Sequence, residues 1–171
     1  MAAMPYLDVG DSQLLDLILN ISKTDWDCFD ISWGFRAQCL CGNDNKVTLR
    51  TIYQKHRSNW LNVTQKMQRL EEDNNRIFID AYGLQNELTP EVPLSEITLT
   101  CNPYYRYSGN LTDEEREARL QSDTIAELIS YSIGCMMGRY SLDREGLVYA
   151  HSSNVGFNEL VAEGAYQSFP T

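Results

Sequence analysis

Residues 46–83 read KVTLRTIYQKHRSNWLNVTQKMQRLEEDNNRIFIDAYG, and this stretch decides the fold. Leu49, Tyr53, His56, Trp60, Val63, Met67, Leu70, Asn74, Ile77 and Ala81 follow one another in alternating steps of four and three, and eight of the ten are apolar. That repeat is a heptad seam, which predicts one helix of about ten turns. Gly83 stands where a helix ends in a left-handed residue. A helix this long needs a partner along its stripe. Two arrangements fit: an antiparallel hairpin with another helix of this chain, which periodicity alone favours, or a spacer helix docked on a separate domain.

Downstream, Pro90 and Pro93 interrupt regular structure, and Thr89-Pro90 has the form of a cap followed by proline at the first helical position. Ser95 to Thr100 reads equally as a brief strand or a helix start. Residues 102–111 read as a loop. Thr112-Asp113-Glu114-Glu115 is a capping box, opening a helix that carries Ile125, Leu128, Ile129, Ser132, Met136 and Tyr140 on one stripe and ends near Gly138. Leu147 to Ala150 fits one short strand, and the sequence from 153 to 171 reads as a flexible tail.

Upstream, Asp11 can cap a short helix bearing Leu14, Leu15, Ile18 and Leu19 on one side. Trp26, Phe29, Trp33 and Phe35 crowd ten residues and read as an aromatic anchor. A loop follows at 37–46, with Gly42 to Asn45 as its turn. The expected fold is mainly α: a long heptad helix at 46–82 packed against a second helix at 112–138 as a bundle or hairpin, braced by 24–35, with at most one or two short strands. Trp60, Leu70, Ile77, Ile125, Ile129 and Met136 are the expected core. The expected division is an N-terminal extension at 1–21, a helical domain at 22–152 and the tail.

The 171 residues carry 14 basic and 24 acidic side chains, a net charge of −10. Autonomous DNA-binding domains are usually basic, so this balance argues against one. The charge is uneven: residues 46–79 hold seven bases and three acids, a balance of +4 inside an acidic chain. No run of about 18 apolar residues exists, so no membrane partner is expected. Met1 to Gly10 lacks a basic start and an apolar run, so it does not read as a secretory signal, and the five cysteines, an odd number, read as reduced thiols in a cytoplasmic protein. Cys39 and Cys41 form the single close pair, and His56 and His151 stand apart, so no metal site is expected.

Asn102-Pro103-Tyr104-Tyr105 is close to the Asn-Pro-Pro-aromatic motif with which amino-methyltransferases hold a flipped base. Tyr104 replaces the second proline, and no strand–glycine–helix unit for a nucleotide-like cofactor precedes it. A proline-ordered turn with locally packed tyrosines is the preferred reading. No phosphate loop, nucleophile elbow or nucleophile–base pair is present, so no catalytic or cofactor-binding residue is assigned. On the long helix, Lys55, Lys66, Arg69 and Arg76 fall within an arc of about 80°, largely away from the seam, with Asp73 among them. An ordinary solvated face is the simpler reading; a phosphate-facing ridge completed by a larger protein is the other.

A resemblance sharpens this picture. Met67 to Leu84 resembles the spacer helices beside target-recognition domains of restriction–modification enzymes. Gln85 to Leu94 with Glu96 to Thr100, Tyr131 to Asp143, Ser22 to Asp27 and Ser32 to Phe35 resemble, in collinear order, the BREX phage-resistance adenine-specific DNA methyltransferases of the PglX type. The resemblance covers roughly 22–152. It implies a non-catalytic helical spacer between a methyltransferase domain, which holds S-adenosylmethionine, and a target-recognition domain. Those two domains, DNA and other defence-system proteins are the implied partners. Nothing at the family's catalytic motifs matches a position here, so the chain is not expected to be an enzyme by itself. The acidic balance leaves a second reading: a free-standing module that binds a defence protein as regulator or decoy.

Overall fold

The computed structural model describes residues 11–41 and 47–168. Among these the chain is helical without a strand: α1 (Ser12–Trp26), α2 (Leu49–Tyr82), α3 (Pro103–Arg106), α4 (Asp113–Met136) and α5 (Phe157–Ala162), plus a 3-10 turn at Leu94–Glu96. The mainly α expectation holds. Lys46 and the turn at Gly42 to Asn45 lie outside the described residues, as do Met1 to Gly10 and the last three.

Local chemistry sets the helix ends. The Asp11 carboxylate accepts from the Gln13 and Leu14 amides, opening α1. Gly83 has φ +69°; its amide donates to the Asp80 carbonyl and the Leu84 amide to that of Ile79, the Schellman pair that closes α2 at the residue the sequence indicates. The capping box at Thr112 is fully formed, with Thr112 accepting from Glu115 and Glu115 from Thr112. The cap-then-proline expected at Thr89-Pro90 opens no helix. It occurs instead at Asn102-Pro103, where Asn102 caps the single turn of α3.

The chain divides into two compact units, one comprising 1–25 and 57–110, the other 26–56 and 111–171. α2 starts in the second unit and finishes in the first.

In the first unit, Met67, Val92, Ile97, Leu99 and Cys101 form the core, with Ile18, Ile21, Trp60 and Val63 packed on it. Within this unit the helix seam at Trp60, Val63 and Met67 is thus covered by the irregular segment 92–101 and by α1; the helix opened at Thr112, its expected partner, belongs to the second unit, which also holds the start of α2. Ser95 to Thr100 is no strand: Ser95 and Glu96 finish the 3-10 turn, Ile97 is extended, and the Leu99 and Asn102 amides close further turns on the Ile97 and Leu99 carbonyls. On α1 the inward side is Leu14, Ile18 and Ile21, while Leu15 and Leu19 are exposed. Along α2, Met67 is buried as the seam requires, but Leu70 and Ile77 are only half-buried and Ile79 is buried in their stead. A straight helix drifts about 20° per heptad away from a strict seven-residue repeat.

In the second unit, Phe35, Tyr131 and Tyr140 make the core, with Cys135 against them. Tyr131 and Tyr140 stack at 5.0 Å, and Phe35 meets both edge-on. A Cβ at Gly134 would lie 2.5 Å from the Tyr140 ring, so glycine is what lets that ring reach α4. This cluster fixes the rotation of α4. Leu120, Thr124, Tyr131 and Gly134 face inward, Ile125 is half-buried, and Ile129 and Met136, expected in the core, are exposed. Of the aromatic anchor at 24–35 only Phe35 is core; Trp26 and Trp33 are exposed. Leu147 to Ala150 forms no strand: the Val148 and Tyr149 amides share the Arg139 carbonyl. The stretch read as a tail holds α5 and is fastened through residue 168. Ser141 Oγ donates to the Ala165 carbonyl, Tyr166 Oη to that of Gly138 at 2.7 Å, and the Ser168 amide to Asp143 at 2.6 Å.

Candidate nucleic-acid interface

The basic side chains singled out from sequence all lie on α2 and are exposed. Lys66, Arg69 and Arg76 belong to the first unit and Lys55 to the second. Arg76 is engaged with Asp73, Nη1 to Oδ1 at 2.5 Å, both side chains being about half exposed. Among the described residues Lys55, Lys66 and Arg69 are held in no ion pair. An exposed cation without a carboxylate partner exchanges only water when it meets a phosphate, whereas Arg76 must first give up Asp73.

Another edge of the same helix is committed to structure. Gln68 Nε2 donates to the Val92 carbonyl at 2.7 Å, Glu72 accepts from the Val92 amide at 3.3 Å, and Asn75 Nδ2 donates to the Pro90 carbonyl at 3.2 Å. These three positions, spaced i, i+4 and i+7, tie the proline segment to α2. Their spacing was visible in the sequence, but their target was not. Burial raises the Glu71 carboxyl above its ordinary range.

The Asn102 segment is built as a brace. Asn102 is fully buried. Its Nδ2 donates to the carbonyls of Leu94 (2.7 Å) and Ile97 (2.9 Å), and its Oδ1 accepts from the Tyr104 amide (3.1 Å). A methyltransferase asparagine must present its amide to a base; this one spends both donors and its acceptor inside the fold. The Asp25 carboxylate holds the same segment, accepting from the amides of Thr100 (2.6 Å) and Cys101 (3.0 Å). The segment is a proline-ordered turn capped by Asn102, with Tyr105 exposed.

Cys28, Cys39, Cys41 and Cys135 all fall in the second unit. Burial, with Cys28 and Glu127 nearby, pushes the Cys39 thiol up to about 12. No three or more His, Cys, Asp or Glu side chains among the described residues stand where they could hold a metal ion. His56 is pushed down by burial and by Lys55 beside it. Among the described residues no helix is long and apolar enough to cross a membrane.

No family model matches the chain. Two curated relatives do. The adenine-specific methyltransferase BrxX of Escherichia coli O9:H4 (strain HS) is 44% identical over 152 residues, which are 89% of this chain and 12% of the relative. The adenine-specific methyltransferase PglX of Lacticaseibacillus casei (strain Zhang) is 34% identical over 142 residues, 81% of this chain and 10% of the relative. The chain thus spans about a tenth of the length of the relatives it matches. It belongs, as a small segment, to the BREX-type adenine-specific methyltransferases.

Proposed function

We propose that the chain is a non-catalytic helical spacer that orients DNA inside a phage-defence adenine-specific DNA methyltransferase acting in the cytoplasm. The observation that carries this reading is the exposed pair Lys66 and Arg69 on α2 in the first unit, with Lys55 exposed on the part of α2 in the second, in a chain that is otherwise acidic. Spread-out cations with no base-reading geometry suit sequence-independent phosphate contacts that set register, while recognition is left to another domain. S-adenosylmethionine and the transferred methyl group belong to the methyltransferase domain of the whole enzyme. That domain and the target-recognition domain are the protein partners of this segment.

The test is DNA affinity as a function of salt for a full-length enzyme that carries this segment, with and without Lys66→Glu and Arg69→Glu. Two lost phosphate contacts lower the slope of log K against log salt by about 2 and weaken specific and non-specific duplexes alike. Unchanged affinity and slope in a folded variant would falsify the DNA-orienting role. The net charge of −10 supports a second reading, an acidic module seated on another defence protein. That reading gains if the isolated chain recovers such a partner and the double substitution leaves DNA affinity unchanged.

A further inference from the structure

Helix α4 has two apolar faces, and the second unit uses only one of them. At about 100° per residue, buried Leu120, Thr124 and Tyr131 lie on the side opposite Ile129. Ile129 is 56% exposed, Ile133 50%, Met136 68% and Met137 78%. Ser122 and Ala126 continue this outward line toward the N-terminus, both exposed. From Ser122 to Met136 the line covers about 21 Å of helix. No charged residue falls on it, although the chain carries 24 acids, and the two acids in this part of α4, Asp123 and Glu127, point to other sides. A helix apolar on opposite sides is built to lie between two layers, and a contiguous exposed apolar stripe marks an interaction surface.

We infer that the Ile129–Ile133–Met136 face of α4, with Met137 at its C-cap, is a docking surface for an apolar face of the remaining methyltransferase polypeptide. The length of chain beyond this segment argues for that occupant: the matched residues are 12% and 10% of the two relatives, so most of the enzyme lies outside the described structure. A contact within one polypeptide also meets its partner at high effective concentration, which a second copy of the chain does not. The inference rests on reading the chain as part of a longer methyltransferase, and is independent of whether that part touches DNA.

Methionine oxidation reads the surface directly, because sulfoxide formation follows exposure. Dilute peroxide is applied to the isolated chain and to a full-length methyltransferase carrying the segment, and oxidation at Met136 and Met137 is followed by peptide mass spectrometry. The expected result is roughly tenfold slower oxidation of both in the full-length enzyme, with Ile129→Glu/Ile133→Glu abolishing the protection while the helical circular-dichroism signal of the isolated chain is retained. Equal oxidation rates in the two proteins overturn the proposal. So does protection that appears in the isolated chain as its concentration rises, because the occupant is then a second copy. Protection with DNA affinity unaffected by the α2 substitutions keeps this surface and removes only the DNA-orienting role.

Discussion

The Asp25 carboxylate accepts the backbone amide of Thr100 at 2.6 Å, although 75 residues separate them. The other oxygen takes the Cys101 amide, so one side chain at the end of α1 satisfies two amides in a segment with no ladder of its own. Removing it leaves two partly buried donors without this partner, at a cost of about 1–3 kcal/mol. Asp25→Ala should therefore lower the thermal midpoint by several degrees, measured by circular dichroism. Asp25→Ser, with one short acceptor, should recover part of the loss. No change in midpoint would mean that water replaces the carboxylate without penalty.

Asn102 separates a structural from a catalytic reading most sharply. Asn102→Asp removes both amide donors and sets a carboxylate against two carbonyl oxygens in a fully buried place, a loss of roughly 2–4 kcal/mol. In a full-length enzyme the milder Asn102→Ser should reduce the yield of folded protein and leave methylation per folded molecule unchanged. A large fall in kcat with normal stability would return this residue to the active site.

Gly134 sets the rotation of α4. Gly134→Ala drives a Cβ into the Tyr140 ring, and overpacking of this kind costs about 1–3 kcal/mol. The loss should be partly reversed by Tyr140→Leu in the same molecule. Near-ultraviolet circular dichroism should show the Tyr131–Tyr140 stack perturbed in the single variant.

The thiols of Cys39, Cys41 and Cys135, all held above their ordinary range, give a pH dependence with a definite sign. Cys39 keeps its proton up to about 12 in the folded chain, whereas an unfolded thiol loses it near its ordinary value. Between about 9 and 12 the folded state binds more protons than the unfolded one, so stability falls as pH rises. Cys41 and Cys135 are shifted upward as well, also chiefly by burial. The urea midpoint should decline from pH 9 to 11, and Cys39→Ala should make that decline shallower without abolishing it. An unchanged slope in the variant would place Cys39 in water.

Much of this fold is written locally. The capping box at Thr112, the Asp11 cap and the Gly83 terminus each depend on a few adjacent residues, and each appears where the sequence indicates. The rotation of α4 was not legible, because apolar periodicity finds stripes but does not rank them. Two stripes exist, and an aromatic cluster assembled from Phe35, Tyr131 and Tyr140 selects the one that turns inward. The cover of α2 was hidden for a related reason: Val92, Ile97, Leu99 and Cys101 pack densely from irregular chain, which has no period to detect. At the candidate interface, sequence supplied the four cations and even Asp73 among them. It did not single out Arg76 as the one held by that aspartate.

The division of the chain has a bearing on its synthesis. Residues 57–110 complete the first unit with a helix made long before, so this unit can close as soon as that stretch has left the ribosome. Residues 26–56 are translated earlier but must wait for residues 111–140 before Phe35 finds Tyr131 and Tyr140. During that interval the waiting stretch has no core to enter. Ribosome stalling or truncation between about 110 and 140 should thus yield a nascent chain that is half native and half dependent on chaperones. No single cut separates one unit from the other, because each is threaded through the other in sequence.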